Sequence, residues 1–144
     1  MSDRQIEITF ASTDEDAIEL HRFLCIIAQP VLMVPINAQD SMAEILRVMK
    51  EGAAITARIN GELVGSLGII AVPWWFNTKQ SFMTDRWYFT YPTLYHLGIG
   101  ARLEAEAKLI ADQAGMYLII NGHMRRRSNG VAFTRPKVHR PKVN

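Results

Sequence analysis

The 144-residue sequence predicts one α/β domain of the α+β type: a mixed, mostly antiparallel sheet flanked by helices, in the order β-α-α-β-β-β-α-β. Three observations carry that expectation. Asn60-Gly61 separates two strand-like runs, the strongest short-range hairpin signal. Ahead of it, two stretches carry apolar residues at a spacing of three to four, the period of a helix buried on one face. Beyond it, Gly98 and Gly100 stand two apart where an aromatic, strand-like run gives way to a third amphipathic helix.

The elements follow in order. Ile6, Ile8 and Phe10 alternate with polar residues as a first strand. Thr13 caps a helix whose first turn, Asp14, Glu15 and Asp16, places acids at the positive end of the dipole. Ala17, Leu20, Leu24 and Ile27 form its core face, and Pro30 is expected to end it. Residues 31–37, broken by Pro35, read as a loop with buried anchors. A second helix is expected from Asp40, with Met42, Ile45, Leu46 and Met49 inward and Gly52 as a left-handed cap. Residues 53–59 and 62–72 form the hairpin strands, 73–77 (Pro73, Trp74, Trp75, Phe76, Asn77) a loop, and 81–90 a further strand.

The helix opened by the glycines is expected to reach Ala114, burying Ile99, Leu103, Ala107, Ile110 and Ala114, with Glu104 and Lys108 as an i,i+4 pair. Gly115 closes it. Residues 116–120 are a short continuous apolar run, expected as a central strand parallel to the one before the helix. The domain is expected to span residues 1–123. Residues 124–144 read as a basic extension, with a short helix over 124–133 interrupted by Asn129-Gly130. The basic-proline run 135–142 is irregular, with little to bury.

Composition bounds the function. Half of the chain is apolar, as in a globular protein. No apolar run approaches the ~20 residues of a membrane span, and no membrane partner is expected. The polar start, Met1 to Arg4, leads directly into a strand and carries no secretory pattern. The single cysteine, Cys25, lies in an apolar helical run and reads as a small buried hydrophobe in a reducing compartment, so a cytoplasmic location is expected. No metal site is expected. Residues 1–120 hold all 14 acidic residues and nine of the 16 basic ones, whereas 121–144 hold the other seven basic residues and no acid. That asymmetry reads either as a tail for nucleic acid or an acidic partner, or as a solvated terminus compensating an acidic body.

The glycine junction carries the chemistry. Glycines there let backbone N–H groups approach an anion, and the helix start behind them presents unpaired donors and the positive end of its dipole. A phosphorylated ligand suits it. Tyr95-His96-Leu97-Gly98-Ile99-Gly100, followed by Ala101-Arg102-Leu103, resembles the Gln/Arg-x-x-Gly-x-Gly/Ala signature of the GNAT superfamily of N-acetyltransferases. Phe89-Thr90-Tyr91-Pro92 resembles the strand end and turn that lead into that signature, and the Asn60 to Gly65 hairpin resembles the family's second-to-third strand turn. The likeness covers residues 5–121. Tyr95 departs from it, standing where Gln or Arg is usual; His96 and Arg102 are the nearby groups with charge to offer.

The resemblance implies a GNAT-like fold and direct transfer of an acetyl or acyl group from acetyl-coenzyme A to an amine, on a small molecule or a protein. Tyr88, Phe89 and Thr90 would hold the pantetheine. Tyr95, His96, Leu97, Gly98, Ile99, Gly100 and Ala101 would hold the pyrophosphate, and Asn121 would add a further contact to coenzyme A. The family's carboxylate position falls on Thr84. Asp85, adjacent, is the candidate base if a β-bulge re-aims it; otherwise it pairs with Arg86 or Arg102. His123 is the candidate proton relay. The family's usual acid, a tyrosine on a later helix, has no counterpart after Tyr117. Residues 31–38 would form one wall of the cleft, and Trp74, Trp75 and Phe76 either stack on a substrate ring or anchor a loop or a homodimer contact. Two alternatives stand beside the enzyme: a coenzyme A-binding protein without catalysis, and a nucleic-acid-associated protein acting through residues 124–144.

Overall fold

Asn60 and Gly61 adopt φ of 53° and 80°, the pair of left-handed values that a tight two-residue strand turn requires. They join β2 (Ala53–Ile59) to β3 (Glu62–Trp74). The computed structural model describes residues 5–32, 34–121, 124–127, 130–133 and 136–142. Ahead of the hairpin lie β1 (Ile6–Phe10), α1 (Asp14–Leu32) and α2 (Ala38–Glu51). After it come β4 (Asn77–Thr90), a 3₁₀ helix (Pro92–Leu97), α3 (Ile99–Ala114), β5 (Leu118–Ile120), β6 (Met124–Arg127), β7 (Gly130–Phe133) and β8 (Lys137–His139). Six strands form one sheet in the order β1-β2-β3-β4-β5-β8, every pair antiparallel except β4 with β5. The expected order of elements through β5, and the parallel β4–β5 pair, are therefore present.

Both faces of the sheet are covered. On one, Ala17, Leu20 and Phe23 of α1 and Ile45 and Val48 of α2 pack on Ala54, Leu63, Ile70 and Trp87. On the other, Ile99, Leu103, Ala107 and Ala111 of α3 pack on Ile55, Leu67, Ile69, Leu118 and Ile120. Burial on both sides is why residues 63–70 of β3 are continuously buried rather than alternating. No helix among the described residues is long and apolar enough to cross a membrane.

Several expectations need correction. α1 continues through Pro30 to Leu32; proline's fixed φ is compatible with a helix, and so close to the helix end it removes one i→i−4 hydrogen bond with only two residues left to follow. α2 starts at Ala38, two residues before Asp40, because the Asn37 side chain accepts from Asp40 N–H as the cap. Its inward face is Ile45 and Val48, with Leu46 exposed. Gly52 is not left-handed (φ −133°). It is needed because a Cβ there would lie 2.0 Å from the Ile69 carbonyl oxygen. The 73–77 loop is instead the end of a long β3–β4 hairpin turning at Trp75-Phe76.

α3 buries Ala111 where Ile110 and Ala114 were expected, Ile110 being half-buried and Ala114 exposed. Gly115 closes the helix with φ 68°, as expected. The 124–133 helix is instead the antiparallel pair β6–β7, with Met124 opposite Phe133 and Arg127 opposite Gly130. Ten residues containing Asn-Gly nucleate a helix poorly and suit a hairpin. Residues 137–139, between Pro136 and Pro141, add β8 to the open edge of β5; proline is tolerated just outside so short an edge strand.

Candidate functional site

The parallel pairing of β4 with β5 comprises Met83 with Leu118 and Thr84 with Ile119. From Asp85 onward β4 pairs with no strand on that side among the described residues, so the parallel pairing ends at a vertex between the two strands. The vertex carries a polar cluster. Gly68 stands opposite Trp87 and Ile69 opposite Asp85, so Arg86 is an extra residue in β4. This bulge breaks the strand's alternation and brings Asp85 to the β5 side. Asp85 Oδ1 accepts from the Asn121 backbone N–H at 2.8 Å and from its Nδ2 at 3.1 Å. Thr84 Oγ1 accepts from Asn121 Nδ2 at 3.0 Å and donates to the Ile119 carbonyl at 2.9 Å. The structure thus unites Asp85, Thr84 and Asn121.

The alternative partners for Asp85 are engaged elsewhere. Arg86 Nε donates to Glu44 Oε1 at 3.2 Å, tying β4 to α2. Burial pushes the Glu44 carboxyl up, but the hydrogen bond from Arg47 and the charges of Arg86 and Arg47 outweigh it and hold it below the usual range. Arg102 Nη2 reaches the Ile6 carbonyl at 3.3 Å, so its charge is turned toward β1.

The other end of β4 leads to the glycine junction. Gly98 has φ 72° and caps α3 without any side-chain hydrogen bond. A Cβ there would meet nothing, so the left-handed backbone, not space, calls for glycine. The first turn, Ile99, Gly100 and Ala101, therefore presents its N–H groups without a side-chain cap. Ile99 is buried and seats the turn on Gly65, where a Cβ would lie 2.8 Å from Ile99 Cγ2 and 2.9 Å from Thr90 Cγ2. Leu97 is half-buried in the same core. Tyr95 and His96 lie in the 3₁₀ helix immediately before the junction. His123 lies outside the described residues.

The Tyr88, Phe89 and Thr90 side chains are turned into the protein, so any ligand contact from this segment comes from its backbone. Thr90 is buried, and Phe89 packs on the α1–α2 side. The Tyr88 hydroxyl lies 2.9 Å from the Gly100 carbonyl and 2.5 Å from Glu104 Oε2. Lys137 Nζ of β8 is 3.2 Å from both Glu104 oxygens. This bridge from β4 through α3 to β8 replaces the expected Glu104–Lys108 pair. No local pattern announces it, because Lys137 is distant in sequence and its strand was unforeseen.

Two other features flank the fold. Where α1 meets α2, His21 Nδ1 lies 3.0 Å from Ser41 Oγ, and Cys25 Sγ lies 3.6 Å from His21 Nε2, with Cys25 half-buried. Trp74, Trp75 and Phe76 sit at the opposite end of β4 from the glycine junction. A shallow opening of about 240 Å³ lined by Ile59, Asn60, Glu62, Val64 and Leu94 lies by the β2–β3 turn, apart from the Asp85–Asn121 vertex.

No protein-family model matches the sequence, and no curated protein matches it. Solved structures do share its architecture. A GNAT family acetyltransferase from Staphylococcus aureus has a TM-score of 0.61 over 90% of this chain and 97% of its own, at 17% identity. A ribosomal-protein-alanine N-acetyltransferase from Brucella melitensis biovar Abortus gives 0.63 over 83% and 81%, at 18% identity. An aminoglycoside 6'-N-acetyltransferase, solved with coenzyme A, gives 0.63 over 85% of this chain and 64% of its own, at 17% identity. The chain has the GNAT fold.

Proposed function

We propose that this chain transfers an acetyl or related acyl group from an acyl-coenzyme A thioester to an amine, by direct attack at the vertex between β4 and β5. The observation that carries this reading is the end of the parallel β4–β5 pairing at Thr84 and Ile119, with a glycine-opened helix start that has no side-chain cap beyond the end of the same β4 strand. The residues suit coenzyme A. N–H groups of residues 97–101 face an anion's needs at the positive end of α3. The β4 backbone at Tyr88, Phe89 and Thr90, beyond the last β4–β5 pair, would meet an amide-bearing chain running toward Tyr95 and His96 nearer the junction. Bound there, an acyl-coenzyme A would supply an acyl carbon activated as a thioester, with the coenzyme A thiol as the leaving group.

The chain's own residues then orient and move protons. Asp85, held by both N–H groups of Asn121, would accept the amine proton at the vertex, and His123, two residues past Asn121, would return one. Orientation of two substrates in one site supplies much of the acceleration. The test is a thermal-shift titration with acetyl-coenzyme A, followed by measurement of free thiol release with a panel of amines. A rise in melting temperature with amine-dependent thiol release supports the reading; no shift at millimolar ligand overturns it.

One observation favours a second reading, coenzyme A binding without catalysis. Asp85 Oδ1 already accepts two hydrogen bonds from Asn121, and no tyrosine follows Tyr117 in the sequence to serve as the acid. That reading predicts the same thermal shift and no thiol release with any amine.

A further inference from the structure

We propose that the tip of the β3–β4 hairpin docks on an anionic lipid surface. Trp75 and Phe76 form its two-residue turn, closed by Trp74 opposite Asn77. Trp75 is 89% exposed and Phe76 64%. Neither has the positive φ that favours such turns, although Asn60-Gly61 supplies it at the neighbouring turn of the same sheet. Two large aromatics thus occupy a turn they do not favour, and their bulk is left in water. A local choice that contradicts both turn chemistry and burial marks a functional feature.

Basic residues predominate in the charge around the tip. Residues 63–84 contain a single charged side chain, the exposed Lys79, and no acid follows Asp112 in the chain. The C-terminal strand brings further cations to this end. The Trp74 ring lies 6.1 Å from the ring of Tyr117, which directly precedes Leu118, the partner of His139. Arg140 therefore continues beside Tyr117, and the Lys142 N–H is anchored on Asp112 Oδ1 at 3.2 Å. Arg140 and Lys142 are both exposed. Asp112 is the acceptor in that bond, and Glu51 faces Arg47 at 3.5 Å.

Ring geometry favours lipid over nucleic acid. Trp74 is covered by Phe82 at 4.3 Å and Phe76 at 5.3 Å, and Trp75 meets Phe76 edge-on at 88°. The rings build a wedge, not the row of open faces on which successive bases stack. A projecting aromatic pair backed by lysine and arginine fits the boundary between anionic headgroups and acyl chains. Such docking is peripheral and needs no membrane-spanning segment, which revises the expectation that no membrane partner exists. It also leaves the glycine junction, at the other end of β4, open.

The test is co-sedimentation of the full chain with phosphatidylcholine vesicles, with and without phosphatidylserine, at low salt. We expect binding that requires phosphatidylserine and a blue shift of tryptophan emission from Trp75, Trp87 being already buried. The exposed double variant Trp75→Ser/Phe76→Ser should bind at least about tenfold more weakly. Lys79→Gln/Arg140→Gln/Lys142→Gln tests the charge independently and should weaken binding roughly fivefold per residue. Absence of binding to phosphatidylserine vesicles, or binding unchanged in both variants, overturns the proposal. So does a tip-dependent association with single-stranded oligonucleotide, or with a second copy of the chain, in place of vesicle binding.

Discussion

Replacing Gly68 with alanine tests the packing beside the bulge at the vertex. A Cβ at Gly68 would lie 2.4, 2.5 and 2.7 Å from Cε2, Cζ2 and Cδ2 of Trp87. Carbon atoms prefer about 3.5–4.0 Å, so the indole must move by roughly 1 Å. It has little room, being 6% exposed. Its Nε1–H also donates to Ser66 Oγ at 2.9 Å, and Ser66 Oγ donates to the Ile55 carbonyl at 2.7 Å, inside the core. Overpacking costs about 1–3 kcal/mol, and weakening a buried hydrogen bond adds about 1 kcal/mol. We expect Gly68→Ala to lose about 2–4 kcal/mol in urea denaturation and to melt roughly 10 °C lower. In the Gly68→Ala background, Trp87→Leu should cost less than it does alone, because the leucine leaves room for the added methyl. Because Arg86 is the extra residue between Trp87 and Asp85, the Asn121 amide resonance should shift as well. A loss below about 0.5 kcal/mol, or strictly additive variants, would refute the steric reasoning.

Three further outcomes are expected. Gly98→Ala forces a β-carbon into a left-handed backbone in open space; it should cost only about 1–2 kcal/mol in stability while weakening coenzyme A binding severalfold by calorimetry. Asn121→Ala removes the side-chain bonds to Asp85 and Thr84 and should lower kcat for thiol release more than it raises KM for acetyl-coenzyme A; the reverse split would make Asn121 chiefly a ligand contact. The Asp16 carboxyl is held below the ordinary aspartate range, chiefly by the Ser12 N–H, with burial opposing and Thr13 assisting. A depressed folded-state value gives stability that is present above the unfolded value and lost as pH falls through the folded one. The melting-temperature difference between wild type and Asp16→Asn should therefore be full at neutral pH and shrink below about pH 4.

What the sequence made legible was local. Asn60-Gly61, the Thr13 cap and the α3 stripe each declare themselves within a few residues, because turn geometry, capping and helical period are short-range effects. The bulge that re-aims Asp85 was legible only as an implication of the GNAT resemblance; it lies beside the Trp87 indole, which crosses Gly68 on another strand, a non-local contact. The same holds for Gly52, which caps α2 as expected but not in the left-handed conformation, the glycine being required by a close approach to Ile69. The Tyr88–Glu104–Lys137 bridge depends on β8, and β8 depends on β5 having an open edge, so neither follows from the composition of residues 137–139. At the site, Thr84, Asp85 and Asn121 were identified separately. Their union at one vertex required knowing where the parallel pairing stops.

Hydrogen–deuterium exchange with and without coenzyme A tests the central claim most directly, because it reports where a ligand closes on the backbone. The account predicts slowed exchange confined to the end of β4, the 3₁₀ helix and the first turn of α3, residues 88–102, with a smaller effect at Asn121. Unchanged exchange at saturating coenzyme A, or protection that falls on the β6–β7 pair or the aromatic hairpin tip instead, would contradict it.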